Sequence, residues 1–198
     1  MRYVDLNALS YRPMLTVDAR GFVPAARQIR SPNHDARPRG ETISLVVIHG
    51  ISLPPGVFEG DGVERLFTNA LDHTADSFYA TIAGLRVSAH FFIRRDGELV
   101  QFVSCNDRAW HAGASSWRGR DRCNDFSIGI EVEGADDVPY APVQYGKLAA
   151  LLAGLKRRYP SLAAAVGHCD IAPGRKTDPG PAFDWDRLAE LTGAARLP

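Results

Sequence analysis

The sequence predicts an α+β domain in which a mixed central β-sheet is flanked by α-helices. Three observations carry this. Leu45 to Ile48 form an unbroken apolar run, expected of a strand buried on both faces. FSIGIEVEG, residues 126–134, alternates side by side as a strand does. Between Pro142 and Arg158, Leu148, Leu151, Leu152 and Leu155 recur at helical spacing. Strands mixed with helices bury their apolar faces by packing helices on a sheet.

The elements follow in order. Residues 1 to about 40 are rich in Arg, Pro and Asn and read as irregular wrapping. The first firm strand, SLVVIH, ends in His49 and is followed by Gly50 and the turn-prone SLPPG. A short helix is expected from Val63 to Ala70. VSAHFFIRRDGELVQFV reads as a strand pair around Asp96-Gly97, a favoured hairpin turn. In FSIGIEVEG, Ile128, Ile130 and Val132 share one face, and Ser127, Gly129, Glu131 and Glu133 the other. A helix runs from Pro142 to Arg158, with Arg157 and Arg158 suited to its C-terminal end. AAVGH is a short strand. GHCDIAPGRKTDPGP, residues 167–181, is a loop, because three glycines and three prolines punctuate it. Asp184 caps a last helix that carries Trp185, Leu188 and Leu191.

A chain of 198 residues suits one domain, spanning 1–198. It is large enough to bury roughly 70% of the surface its unfolded form exposes. Lys plus Arg and Asp plus Glu number 23 each, which argues against a general nucleic-acid binder. No charged N-terminal segment precedes a long apolar run, and no stretch has the apolar length to span a bilayer. Cys105, Cys123 and Cys169 make an odd count without C-x-x-C spacing, so neither a disulfide framework nor a zinc ribbon is expected. A reduced, cytoplasmic enzyme or binding protein fits these features.

Two strands end in histidine, VVIH at His49 and AVGH at His168. If they are neighbours, both imidazoles emerge at one rim, and Asp178 returns to it on the stiffened loop. Two imidazoles and a carboxylate supply three ligands to a zinc ion and leave a position for water, whose pKa falls toward roughly 7. The same residues also suit a hydrogen-bonding plug and a turn before proline. Glu131 stands in a strand otherwise apolar or small, with Gly129 clearing space on its face. A carboxylate withdrawn from water resists ionisation and becomes useful for proton transfer, unless Glu131 and Glu133 simply line a solvated face. Lys176, two residues before Asp178, could stabilise an oxyanion or be a surface lysine. Arg86 and Arg122 could pair with substrate carboxylates. His111, in HAGASSW, suits a cleft-lining loop, and His90 a packed strand position. Cys123 or Cys169 with His168 as base forms a rival, cysteine-dependent hydrolase. H-E-x-x-H, P-C-x-x-C, G-x-S-x-G and a phosphate-binding glycine loop are all absent from the sequence.

Taken together, VVIHGISLPPG, LRVSAHFFIRRDGELVQFV, RAWHAG, RCNDFSIGIEVEG and GHCDIAPGRKTDPGPAFDW resemble the cytoplasmic 1,6-anhydro-N-acetylmuramyl-L-alanine amidases. This zinc amidase family is more distantly similar to phage amidases and peptidoglycan recognition proteins. The likeness runs from about Phe22 to Trp185, which leaves residues 1–21 as an N-terminal extension. The resemblance implies one zinc per chain on His49, His168 and Asp178, with Glu131 and Lys176 catalytic and Arg86 and Arg122 contacting an anhydro-muropeptide. It implies hydrolysis of the amide between anhydro-N-acetylmuramic acid and L-alanine during peptidoglycan recycling, by a monomer that engages neither nucleic acid nor membrane. A non-catalytic muropeptide sensor is the alternative from another class. Gly50 departs from the family's best-known members, which carry Asn there; the change removes a side-chain donor and acceptor near the sugar site.

Overall fold

The computed structural model describes residues 3–10 and 15–197. Its strands are β1 (Tyr3–Asp5), β2 (Arg27–Gln28), β3 (His34–Ala36), β4 (Leu45–Ile51), β5 (Phe91–Ile93), β6 (Leu99–Gln101), β7 (Asp107–Ala109), β8 (Ser116–Trp117), β9 (Arg120–Asp121), β10 (Ser127–Glu133), β11 (Ala164–Gly167) and β12 (Arg196–Leu197). Its helices are α1 (Gly62–Phe67), α2 (Ser77–Thr81), α3 (Pro142–Arg158), α4 (His168–Ile171) and α5 (Trp185–Thr192). Eight strands form one mixed sheet in the order β12-β1-β11-β4-β10-β5-β6-β2. Its centre is parallel: β11, β4, β10 and β5 run the same way, while β1 opposes β11 and β12, and β6 opposes β5 but runs parallel to β2. The expected mixed sheet with flanking helices is therefore the fold.

Alternation along the central strands decides which side each residue serves. Val46, Ile48, Ile130 and Val132 pack beneath α3 and α5, against Leu148, Leu151, Leu152, Leu155 and Leu188. Each fully buried leucine of this kind is worth about 1.5–3 kcal/mol. Pro142 opens α3, where the Gln144 side chain accepts a hydrogen bond from Ala141 N and donates to the Ile93 and Glu133 carbonyls. Helix α3 is thereby tied to the ends of two strands. Asp184 caps α5 by accepting from Arg187 N at 2.9 Å. The opposite sheet face carries the polar set, including His49 and Glu131.

Three expectations are corrected. Residues 1–40 are not all irregular: β1 pairs with β11, and Leu6 is fully buried. A three-residue strand carries too little alternation to stand out in the sequence. Next, the residues after His168 begin with one helical turn, α4, whose Asp170 side chain accepts from Gly167 N at 2.9 Å. Finally, the helix expected over 63–70 is α1, ending at Phe67. The hairpin is as expected, with Gly97 at φ +86° in its turn.

Candidate metal centre and active-site cleft

Register sets the site. Glu131 lies opposite His49 on parallel β10 and β4, and Gly167 lies opposite Ile48 on β11 and β4. His168, one residue past β11, thus emerges beside His49 at one rim. Asp178 is brought back by the loop after α4, where Cys169 N donates to Asp178 O at 2.9 Å. Three ligand atoms converge: His49 Nδ1 and His168 Nδ1 are 3.0 Å apart, and Asp178 Oδ2 lies 3.2 Å and 3.1 Å from them. Around zinc, bonds of about 2.0–2.1 Å arranged tetrahedrally set neighbouring ligand atoms roughly 3.3 Å apart. The triangle fits that spacing.

The outward nitrogens decide the tautomers. Ser127 Oγ donates to the Cys123 carbonyl at 2.6 Å, since a carbonyl can only accept. Ser127 Oγ then accepts from His111 Nε2 (3.2 Å), and His111 Nδ1 accepts from His49 Nε2 (2.9 Å). His168 Nε2 likewise donates to Ala112 O at 3.2 Å. Both Nδ1 atoms are therefore proton-free in the neutral rings, and three lone-pair-bearing atoms face one another. A cation between them would offset their mutual repulsion. Burial, with the neighbouring His168 charge, pushes His49 down to about 4, so a proton is disfavoured there at neutral pH. Burial also raises the Asp178 carboxyl, but hydrogen bonds from His168 and His49, when either Nδ1 is protonated, outweigh it and hold the carboxyl well below the usual range. His49, His168 and Asp178 form a group that could hold a metal ion.

Glu131 faces the same space. It is 8% exposed, and its Oε2 has no hydrogen-bond partner. Burial first, and the Asp178 charge second, raise its pKa well above the ordinary carboxylate value, with Lys176 opposing. A bound cation would act in the same sense as Lys176. The solvated-face alternative does not hold, because Glu133 is buried too, its carboxylate accepting from Glu59 N and Arg95 N at 2.8 Å each. The space beside Gly129 is taken by the His111 ring, which a Cβ there would overlap.

These groups line a cleft of about 510 Å³ together with Lys176, Arg86, Asn124 and Arg175. Leu66, Phe67, Phe78 and Ile82, from α1, α2 and the residue after α2, make its apolar wall. Lys176 is exposed, and its charge is felt at His49 and Glu131. Arg86 is exposed at the cleft edge. Arg122 instead lines an adjoining depression and pairs with Asp125 at 3.2 Å; Arg175 borders both hollows. His90 is packed as expected, accepting from Gly129 N, and burial pushes it down to about 3.

Sequence reasoning missed Arg175, which donates to the Ala112 and Ala114 carbonyls at 2.7 Å each, and Asn124, which accepts from His111 N and Ala112 N. The role of His111 as partner of His49 was also missed. Gly129 in mid-strand, a mark of close approach, was its only signal. The cysteine rival loses its footing. None of the three thiols lines the cleft, and burial raises all of them, Cys105 to about 12 and Cys169 to about 11.

A family described as N-acetylmuramoyl-L-alanine amidase matches residues 39–181, and the chain belongs to that family. It is similar to the 1,6-anhydro-N-acetylmuramyl-L-alanine amidase AmpD of Escherichia coli (strain K12), with 56% identity over 172 residues, 86% of this chain and 94% of the relative. The crystal structure of a selenomethionine AmpD derivative superposes with a TM-score of 0.87 at 54% identity, covering 90% of this chain and 99% of that one. The N-acetylmuramyl-L-alanine amidase AmiD from E. coli, solved with the substrate anhydro-N-acetylmuramic acid-L-Ala-D-gamma-Glu-L-Lys, matches at 32% identity and a TM-score of 0.53, over 78% of this chain and 60% of that one.

Proposed function

We propose that this chain is a zinc-dependent amidase that cleaves the amide joining the lactyl group of 1,6-anhydro-N-acetylmuramic acid to the L-alanine of a muropeptide stem. The observation that carries the reading is the triangle of His49 Nδ1, His168 Nδ1 and Asp178 Oδ2, with sides of 3.0–3.2 Å. The outward hydrogen bonds of the two rings leave both Nδ1 atoms free to coordinate. Its neighbour Glu131 is a buried carboxylate with an unpartnered oxygen. The AmpD relative is named for this bond, and the AmiD structure holds an anhydro-muramyl peptide as substrate.

A zinc held by His49, His168 and Asp178 would supply Lewis acidity and, at its open position, make a water acidic near neutral pH. Glu131 takes the proton from the attacking water and returns it to the leaving alanine nitrogen as the C–N bond breaks. The products are the lactyl carboxylate and the free stem amine. Lys176 offers its ammonium to the oxyanion that forms on the carbonyl oxygen. One such donor is typically worth about 3 kcal/mol in the barrier. Arg86 and Arg122 meet the stem's carboxylates at the cleft edge and in the adjoining depression.

The domain comprises residues 1–198, supported by β1 and β12 lying in the same sheet as β4 and β10. One chain supplies every group of the site, which is compatible with the monomer proposed here. The likeness to AmpD supports a place in cytoplasmic peptidoglycan recycling; among the described residues no helix is long and apolar enough to cross a membrane.

The test is incubation of zinc-loaded protein with matched anhydro and reducing muropeptides, read by mass spectrometry. Free stem peptide from the anhydro substrate is expected. No release from either substrate contradicts the reading, and binding without release would mark a sensor.

A further inference from the structure

Asp178 is the one member of the metal triangle carried on a loop rather than at a strand end, so something must hold that loop against the sheet. Two attachments flank the carboxylate. On one side Cys169 N donates to Asp178 O at 2.9 Å, which fixes Asp178 to the turn bearing His168. On the other side the Tyr140 hydroxyl donates to Pro179 O at 2.9 Å. Tyr140 belongs to the segment that leaves β10 after Glu133, and the same segment makes further links. Gly134 N donates to Ile51 O at the end of β4, and Ala182 N donates to Asp136 O at 3.0 Å. Residues 134–140 therefore clasp the ends of the strands bearing His49 and Glu131 to the loop bearing Asp178.

The clasp is built closely. The Tyr140 ring lies over Gly134, and its hydroxyl lies against Gly50; a Cβ at either glycine would overlap it. Phe183 closes the far side edge to face, with ring centroids 5.3 Å apart. Tyr140 is 5% exposed, so its hydroxyl has little access to water and depends on the Pro179 carbonyl. Gly50 thus opens toward Tyr140 on the α3 side of the sheet, opposite His49.

We propose that Tyr140 is a positioning residue for the metal site: through Pro179 it sets Asp178 in register with His49 and Glu131. The inference rests on the zinc reading above. Partners beyond the metal ligands typically change affinity 10–100-fold when removed, because they orient the ligands.

The test compares Tyr140→Phe with Tyr145→Phe. Tyr145 is a control on the same side of the sheet, whose hydroxyl accepts from Asp184 N at 2.7 Å and does not touch the Asp178 loop. Zinc dissociation constants are read by chelator competition, and thermal unfolding of each metal-free protein is recorded alongside. Tyr140→Phe is expected to bind zinc about 10–100-fold more weakly, while Tyr145→Phe stays close to wild type in zinc affinity. Equal affinity of Tyr140→Phe and wild type, or equal weakening in both variants, overturns the proposal. A wild-type protein without zinc affinity overturns the underlying reading instead, and the proposal falls with it.

Discussion

His49 Nδ1 and His168 Nδ1 stand 3.0 Å apart, each ring holding its proton on the far nitrogen, with Asp178 Oδ2 closing the triangle. The carboxylate is the only anionic member. Asp178→Ala should therefore lose zinc by more than the 10–100-fold that loss of an outer partner costs. Metal content after dialysis checks this; full zinc occupancy in the variant would contradict it.

Glu131 makes a second prediction, in which stability and turnover move oppositely. Its folded pKa lies above the unfolded value, so the folded protein binds the extra proton between the two. Its contribution to stability is unaffected below the unfolded pKa and falls as pH rises through the window up to the folded pKa. Glu131→Gln removes that loss. In metal-free protein its melting temperature should exceed wild type at pH 8 more than at pH 4, by about 2–4 °C for each kcal/mol regained. Turnover should be lost while zinc is retained. A gap that does not widen with pH, or near-normal turnover, would contradict the assignment.

His111 links His49 to Ser127. His111→Ala leaves the buried His49 Nε2–H without its acceptor, which costs about 1–3 kcal/mol. A lower melting temperature and weaker zinc binding are expected together, measured by calorimetry and chelator competition. An unchanged zinc affinity would show that the link does not orient the ligand.

Much of this was legible in the sequence, for physical reasons that differ by element. Leu45–Ile48, the alternation of β10 and the leucines of α3 are strong periodic signals, and each element stands where it was expected. Two strands were expected to end in histidine; instead β4 runs two residues past His49 to Ile51 and β11 stops at Gly167, and it is their parallel register that brings His49 and His168 together. What escaped were contacts between elements distant in the chain. Nothing in RAWHAG says that His111 fills the space above Gly129, and nothing near Tyr140 names Pro179. Strand β1 escaped because three residues carry too short a period. Nor did the sequence show that Arg122 lines an adjoining depression rather than the cleft itself, sharing Arg175 with it.

The thiols make a further prediction. Burial raises all three, and none lines the cleft. Treatment with a thiol-alkylating reagent at pH 7 should leave turnover and zinc content within about 2-fold of untreated enzyme, since the thiolate is the reactive form. Loss of turnover with zinc retained would revive a cysteine mechanism.

The most direct measurement is anomalous diffraction at the zinc edge from crystals of the zinc-loaded protein. One peak is expected, bonded at about 2.0–2.2 Å to His49 Nδ1, His168 Nδ1 and Asp178 Oδ2. A fully loaded protein with its peak elsewhere, or with none at this triangle, would contradict the account.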